Sequence, residues 1–315
     1  MDPDICELCN TAYDYMLEGW MRRQGKKGES LQNSAEMLSD EEFDAAMEVV
    51  HRNGLRLRSV KNIRSFSGYP AEGRHVQLGT VLRSGALSKL TQEDAQRLRE
   101  MGLPLVIDLR MPDEVRKNPD VPIPGVRYEN IPLTQELNME RMEALTERYR
   151  KSETESERTW YLSEYARIDE VRRMYTNISV DRNSRKAIRR IFQRILEEKG
   201  TVLFHCTSGK DRTGIISALF LYALGCDKQD IIKDYNASAL EFMALVESMK
   251  ADLKEHGYGA ELQAGVQTIL GVVPEVIAAG FYYISSNYAS DEALLMEAIG
   301  FDHAQLHKLR DKYLE

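Results

Sequence analysis

No part of this chain restricts its fold more than the stretch from Val202 to Gly214. Val202-Leu203-Phe204-His205 reads as a short apolar strand and Cys206 to Arg212 as a tight turn of small and polar residues. Ile215 to Leu224 supplies an apolar helix, with Gly225 placed for a C-cap. A strand entering a helix through such a turn leaves backbone N–H groups without intrahelical partners, where the helix dipole is positive. That arrangement binds a tetrahedral oxyanion. Cys206 stands at the mouth of the turn and Arg212 at its far lip. The field that attracts an anion also favours thiolate over thiol at Cys206, and the Arg212 fork can take two oxygens at once. A nucleophile and an anion hole share one loop.

The rest of the composition narrows the class. At 315 residues the chain is long enough for one large or two ordinary domains. Apolar residues make up 43% and charged residues 29%, the balance of a globular chain. The formal net charge of -8 argues against nucleic acid as a partner, so anion binding has to be local. With Cys6, Cys9, Cys206 and Cys226 alone there are too few cysteines for a disulfide scaffold, and a reactive thiol needs reducing surroundings. The N-terminus shows neither a basic nor an apolar leader region, and the longest apolar run is too short to span a bilayer. The expectation is a cytoplasmic protein without a transmembrane segment, with export lacking a cleaved signal left open.

Along the chain, residues 1–52 read as an N-terminal helical extension. Ile5, Leu8, Cys9, Ala12, Tyr13, Met16 and Trp20 fall on one helical face, and Ser39-Asp40-Glu41-Glu42 forms a capping box. The second helix then turns Phe43, Ala46, Met47 and Val50 inward. Cys6 and Cys9 have the spacing of half a zinc site, but without a second pair packing is the better reading. Residues 53–315 form the main domain. Extended segments are expected near 55–64 and 77–83, and a helix starts at Thr91-Gln92-Glu93-Asp94 and ends at Gly102. Leu103 to Leu109 reads as a strand covered on both faces. This is an α/β pattern, a sheet flanked by helices, whose ligands gather at the carboxyl ends of the strands. Asp108 and Cys206 both lie at such ends.

Residues 134–180 look like a helical insertion, read either as a solvated connector or as a lid over the loop. A helix from Asp181 to Glu198 buries Ala187, Ile188, Ile191, Phe192, Ile195 and Leu196. Its other face carries Arg182, Arg185, Lys186, Arg189, Arg190 and Arg194, either a solvated face or a docking strip for acidic phosphopeptides or inositide headgroups. Residues 226–315 read as helical, with Asp227 capping a helix from Lys228. Further helices are expected at 260–270, 274–288, 291–299 and 302–314.

The loop, His205 followed by Cys206-Thr207-Ser208-Gly209-Lys210-Asp211-Arg212-Thr213-Gly214, resembles the signature of the cysteine-based tyrosine and dual-specificity phosphatases. Its Lys210-Asp211 pair is most similar to the bacterial branch that also accepts phosphoinositides. Asn62-Ile63-Arg64-Ser65-Phe66-Ser67-Gly68-Tyr69, Leu82-Arg83-Ser84-Gly85 and Val106-Ile107-Asp108-Leu109-Arg110 resemble that branch's other motifs, in its order. The resemblance implies a cysteine-phosphatase-like sheet, a helical lid and a helical C-terminal bundle. It implies a phosphomonoester hydrolase acting on phosphorylated protein or phosphoinositide, with no cofactor and no metal.

For such chemistry a thiolate splits hydrolysis into two displacements through a phosphocysteine. Cys206 and Arg212 are the expected catalytic pair, with Thr207, Ser208, Gly209, Lys210 and Thr213 holding the substrate. The Thr213 hydroxyl can reach the sulfur, and His205 can brace the loop from behind. Asp211, Glu136 and Asp108 all stand open as the general acid, since the branch's usual aspartate after the following strand is absent from Ile131-Pro132-Leu133-Thr134-Gln135-Glu136. Lys210 adds a cation suited to a multiply phosphorylated ring. A nucleotide-type phosphate loop fails, because Phe204 and Asp211 occupy its glycine and Ser/Thr places. A sulfurtransferase does not call for Arg212-Thr213, a cysteine protease needs a distant histidine, and a phospho-ligand adaptor has no need of Cys206. Oligomeric state is not written in the sequence.

Overall fold

In the computed structural model, residues 40–133, 182–255, 257, 271–272 and 291–315 are described. The expected first helix, the 134–180 insertion and the helices at 260–270 and 274–288 lie outside these residues, as do Cys6, Cys9 and Glu136.

Helix α1 (Asp40–Asn53) follows the capping-box signal and buries Phe43, Ala46, Met47 and Val50. These side chains join the same apolar core as residues far beyond position 53, so packing is continuous across that boundary. The segment 55–64 is mostly turns rather than extended, and its strand β1 is only Arg64–Ser65. A small hairpin, β2 (Pro70–Ala71) and β3 (Arg74–His75), precedes β4 (Val81–Ser84). Helix α2 (Gln92–Glu100) begins where Thr91 accepts the Asp94 N–H and is followed by Gly102 at φ 69°. β5 (Leu105–Asp108), the short α3 (Pro112–Lys117) and β6 (Arg127–Asn130) follow. Helix α4 (Arg182–Glu197) leads into β7 (Val202–His205), α5 (Asp211–Leu224) and α6 (Lys228–Glu255). Helices α7 (Asp291–Ile299) and α8 (His303–Tyr313) close the described chain.

The five-stranded sheet has the order β1-β4-β7-β5-β6. β4, β7, β5 and β6 run parallel, and β1 is antiparallel at the edge. The apolar run of β7 is central and fully buried, as a strand covered on both faces requires. One core cluster contains Phe66, Phe204, Ile216, Phe220 and the α4 stripe of Ile188, Ile191, Phe192 and Ile195. A second packs Leu82, Leu98, Val106 and Leu203 on the opposite face. The α/β reading therefore stands, with helices on both sides of a mixed sheet.

Pairing places Asp108 beside His205, so Asp108 and Cys206 do emerge together at the carboxyl edge. The loop helix starts at Asp211, four residues before the first apolar residue that marked it in the sequence. Hydrogen bonding and not hydrophobicity sets that start, since the Gly214 N–H already reaches the Lys210 carbonyl at 2.9 Å. Gly225 ends the helix with φ 86°, a left-handed cap that favours glycine. Asp227 caps α6 by accepting the Gln229 N–H at 2.8 Å. On α4, Arg190 and Arg194 pair with Glu129 of β6, and Arg185 with Glu297 of α7. Part of the expected basic strip is thus tied up within the fold.

Candidate active site

The turn between β7 and α5 gathers Cys206, Thr207, Ser208, Gly209, Lys210, Asp211, Arg212 and Thr213 into one concave loop. Its carbonyl oxygens are held from outside. His205 Nδ1 lies 3.1 Å from the Cys206 carbonyl, and the Ala86 N–H donates to the Thr207 carbonyl at 3.1 Å. Asn62 Nδ2 and Arg83 Nη2 donate to the Gly209 carbonyl at 2.9 and 2.7 Å. Because C=O and N–H lie on opposite sides of a trans peptide, carbonyls tied outward leave amides facing the concave side. Among the described residues, the backbone N–H groups of Thr207, Ser208 and Gly209 donate to no protein acceptor. Gly209 makes this path possible. Its φ is +70°, and a Cβ there would sit 2.5 Å from the Ser84 backbone.

Arg83 and Arg64 hold this scaffold. Both are buried, and both bind Asp234 on α6, at 2.5 and 2.9 Å. Arg64 also donates to the Asn62 side chain, so the residue that grips Gly209 is itself gripped. Burial and the neighbouring Arg64 lower the Arg83 pKa to about 10, against the pull of Asp234. One carboxylate shared by two guanidiniums leaves net positive charge beneath the loop.

Arg212, 6% exposed, is fixed at the lip by a residue the sequence reading missed. Glu114 accepts from Arg212 Nη1 and Nη2 at 2.6 and 2.7 Å and from the Thr207 hydroxyl at 2.8 Å. Burial alone would raise the Glu114 carboxyl, but Arg212, the Met111 N–H and Thr207 outweigh it and bring it down to about 2. Burial depresses Arg212 less than its hydrogen bonds and charge pairing with Glu114 raise it, so its pKa ends above the usual guanidinium value. Arg212 Nε is buried and has no hydrogen-bond partner among the described residues. Glu114 was legible in principle: Met111-Pro112-Asp113-Glu114 carries proline in a first turn and glutamate at N3, and Glu114 does accept the Met111 N–H at 2.9 Å.

Asp108 sits deeper. It is 4% exposed, and Arg110 donates to both of its oxygens, at 3.0 and 2.7 Å. Asp120, also missed, lies 3.0 Å from His205 Nε2, close but not aligned for a hydrogen bond, and 3.0 Å from Arg110. Burial would raise the Asp120 carboxyl, but His205, Arg110 and the Leu87 N–H hold it below its ordinary value. Donor atoms of Asp108, Asp120 and His205 lie within 4.8 Å of one another, yet the Arg110 guanidinium already pairs with both carboxylates. Asp211 remains partly exposed, 3.7 Å from Lys210 Nζ. Thr213 is buried, and its hydroxyl has no hydrogen-bond partner among the described residues, the Cys206 sulfur included.

Comparison with known proteins agrees with this geometry. The family described as "Tyrosine phosphatase family" matches residues 55–315. A protein of Cupriavidus necator, provisionally named a tyrosine-protein phosphatase, is 30% identical over 263 residues, which are 83% of this chain and 90% of that protein. The triple specificity protein phosphatase PtpB of Mycobacterium tuberculosis is 27% identical over 74% of this chain and 90% of its own length. A tyrosine-protein phosphatase of Nostoc commune is 33% identical over 50% of this chain and 48% of its own.

Proposed function

This chain belongs to the tyrosine phosphatase family, and from that premise we propose that it hydrolyses phosphate monoesters, phosphotyrosine foremost, through a phosphocysteine at Cys206. The observation that carries the reading is Arg212, clamped by Glu114 through both Nη atoms while its Nε stays unpartnered beside three undonated loop amides. A tetrahedral dianion satisfies all of these at once.

In the first step Cys206 sulfur attacks phosphorus in line, the S–P bond forms and the P–O bond to the leaving group breaks. Arg212 and the loop amides hold the equatorial oxygens as charge shifts among them. An acid gives its proton to the leaving oxygen and then takes one from the attacking water, while the S–P bond breaks and sulfur departs as thiolate. Asp211 is the best candidate for that acid. Asp108 is sealed against Arg110. Glu114 is excluded by magnitude: with a pKa of about 2, only about one molecule in 10⁵ holds its proton at pH 7.

Lys210 favours a second, finer reading. It is 6% exposed, with its Nζ 5.9 Å from the centre of the Phe242 ring, and one phosphotyrosine does not require this additional cation. We infer dual specificity, with phosphoinositide headgroups as further substrates. Cys206 and Cys226 are free thiols, which fits action in a reducing compartment such as the cytoplasm. No helix among the described residues is long and apolar enough to cross a membrane.

The test is turnover of phosphotyrosine, phosphoserine and phosphoinositide in the presence of chelator. Wild type should act on all three and be inhibited by vanadate, and Cys206→Ser should abolish turnover on each. Activity that requires added metal, or that survives Cys206→Ser, would overturn the proposal.

A further inference from the structure

Two peptides of the loop owe their direction to contacts behind it. The Cys206 carbonyl and the Thr207 N–H belong to one peptide, the Thr207 carbonyl and the Ser208 N–H to the next. Turning each carbonyl outward therefore turns its paired amide inward. His205 Nδ1 lies 3.1 Å from the first carbonyl, and the Ala86 N–H donates to the second at 3.1 Å. Both holders stand outside the loop: His205 is fully buried at the end of β7, and Ala86 lies just beyond β4.

One carboxylate reaches both holders. Asp120, between α3 and β6, has a side chain only 6% exposed. Its Oδ2 lies 3.0 Å from His205 Nε2, and its Oδ1 accepts the Leu87 N–H at 2.8 Å. The Val121 N–H donates to the Leu87 carbonyl at 3.2 Å, so residues 120 and 121 clasp Leu87, the residue next to Ala86, at both of its backbone polar groups. On the other side, the Cys206 carbonyl and the Asp120 carboxylate face the two ring nitrogens of His205 and together set how the ring is turned. Asp120 is itself anchored. Arg110 Nη2 lies 3.0 Å from its Oδ1, while Arg110 Nη1 donates to the Asn118 carbonyl at 2.8 Å.

We propose that Asp120 is a positioning residue of the reaction, acting through His205 and Leu87 to aim the Thr207 and Ser208 amides at the equatorial oxygens of the phosphoryl group. The assignment rests on the phosphatase reading above. These amides donate to no protein acceptor among the described residues, so their aim is set by the peptides that carry them. Hydrogen bonds weaken steeply with misalignment. Donors that meet charge as it shifts in the transition state lose more there than in the ground state. The chain after β5 thus serves the loop twice: Glu114 holds Arg212 at the lip, and Asp120 holds the peptides behind Cys206.

Turnover of p-nitrophenyl phosphate by Asp120→Asn, His205→Ala and the double variant tests this. Asp120→Asn should lower kcat about thirtyfold with KM within about twofold of wild type, less than the ~10²–10³ lost with a donor that touches the anion. In the His205→Ala background the same change should cost only about fivefold, the part routed through Leu87. In backbone amide NMR spectra of the Cys206→Ser protein, Asp120→Asn should move the Thr207 and Ser208 amides. The Lys210 amide should stay, because its peptide carbonyl at Gly209 is held by Asn62 and Arg83. The spectra need no turnover, so failure there is separable from failure of hydrolysis. Asp120→Ser, smaller and neutral, serves if Asp120→Asn does not fold, with the same split between kcat and KM expected. The proposal is overturned if kcat stays within about threefold of wild type, if the loss falls on KM, or if the double variant is fully additive. It is equally overturned if the Lys210 amide moves as far as the other two.

Discussion

Glu114 decides how Arg212 is presented. An arginine on a helix's first turn has rotamers that sweep away from the loop, and the two-pronged contact selects one of them. Glu114→Gln keeps the shape but removes the charge and one acceptor. Its kcat/KM should fall about tenfold to a hundredfold, less than the ~10²–10³ lost with a donor that touches the anion directly. A rate within twofold of wild type would show that Arg212 needs no such partner. Thr207 belongs to the same triangle, since its hydroxyl donates to the Glu114 oxygen that Arg212 Nη2 also contacts.

At the scale of elements, the loop is held by parts distant in sequence. β1, β4 and α6 send Arg64, Arg83 and Asp234 to one buried point, from which Arg83 and Asn62 reach the Gly209 carbonyl. Removing the shared carboxylate would leave two buried guanidiniums facing each other. Asp234→Asn should therefore cost about 3–5 kcal/mol of stability, read as a lower urea midpoint. Loss of activity should track the loss of fold, because the same atoms orient the amides. If Asp234→Asn were as stable as wild type, the ion pairs would not be what joins α6 to the sheet edge.

Across the whole molecule, ion-paired carboxylates, buried at Asp234 and half-buried at Glu114, set the acid limit. Glu114 is lowered from 4.5 to about 2, and Asp120 and Asp234 lie below their ordinary 3.8. For Asp234, burial opposes ionisation and the two arginines outweigh it. A carboxylate with a depressed folded-state pKa contributes stability that is present above the unfolded value and lost as pH falls through the folded one. Thermal midpoints should accordingly hold down to about pH 4.5 and fall between about pH 4.5 and 2. Glu114→Gln should flatten part of that fall, and an unchanged slope would remove Glu114 from the account.

Local order was written in the chain itself. The Cys206–Arg212 turn, the α4 stripe, the Thr91 and Asp227 caps and the Gly225 stop depend on neighbours a few residues away, where spacing and backbone preference act directly. Strand pairing then brought Asp108 to His205 as the apolar runs implied. What no local pattern could carry is which side chains complete the site. Glu114 lies 98 residues from Arg212 and Asp234 lies 151 from Arg83, separations at which charge has no periodic trace. Only folding shows that Asp108, a plausible acid by position, is sealed by Arg110, and that Glu114, an ordinary helix-capping residue by sequence, grips the arginine at the lip. Backbone geometry is a short-range property, whereas the partner of a buried charge is chosen by whatever the tertiary structure places within reach.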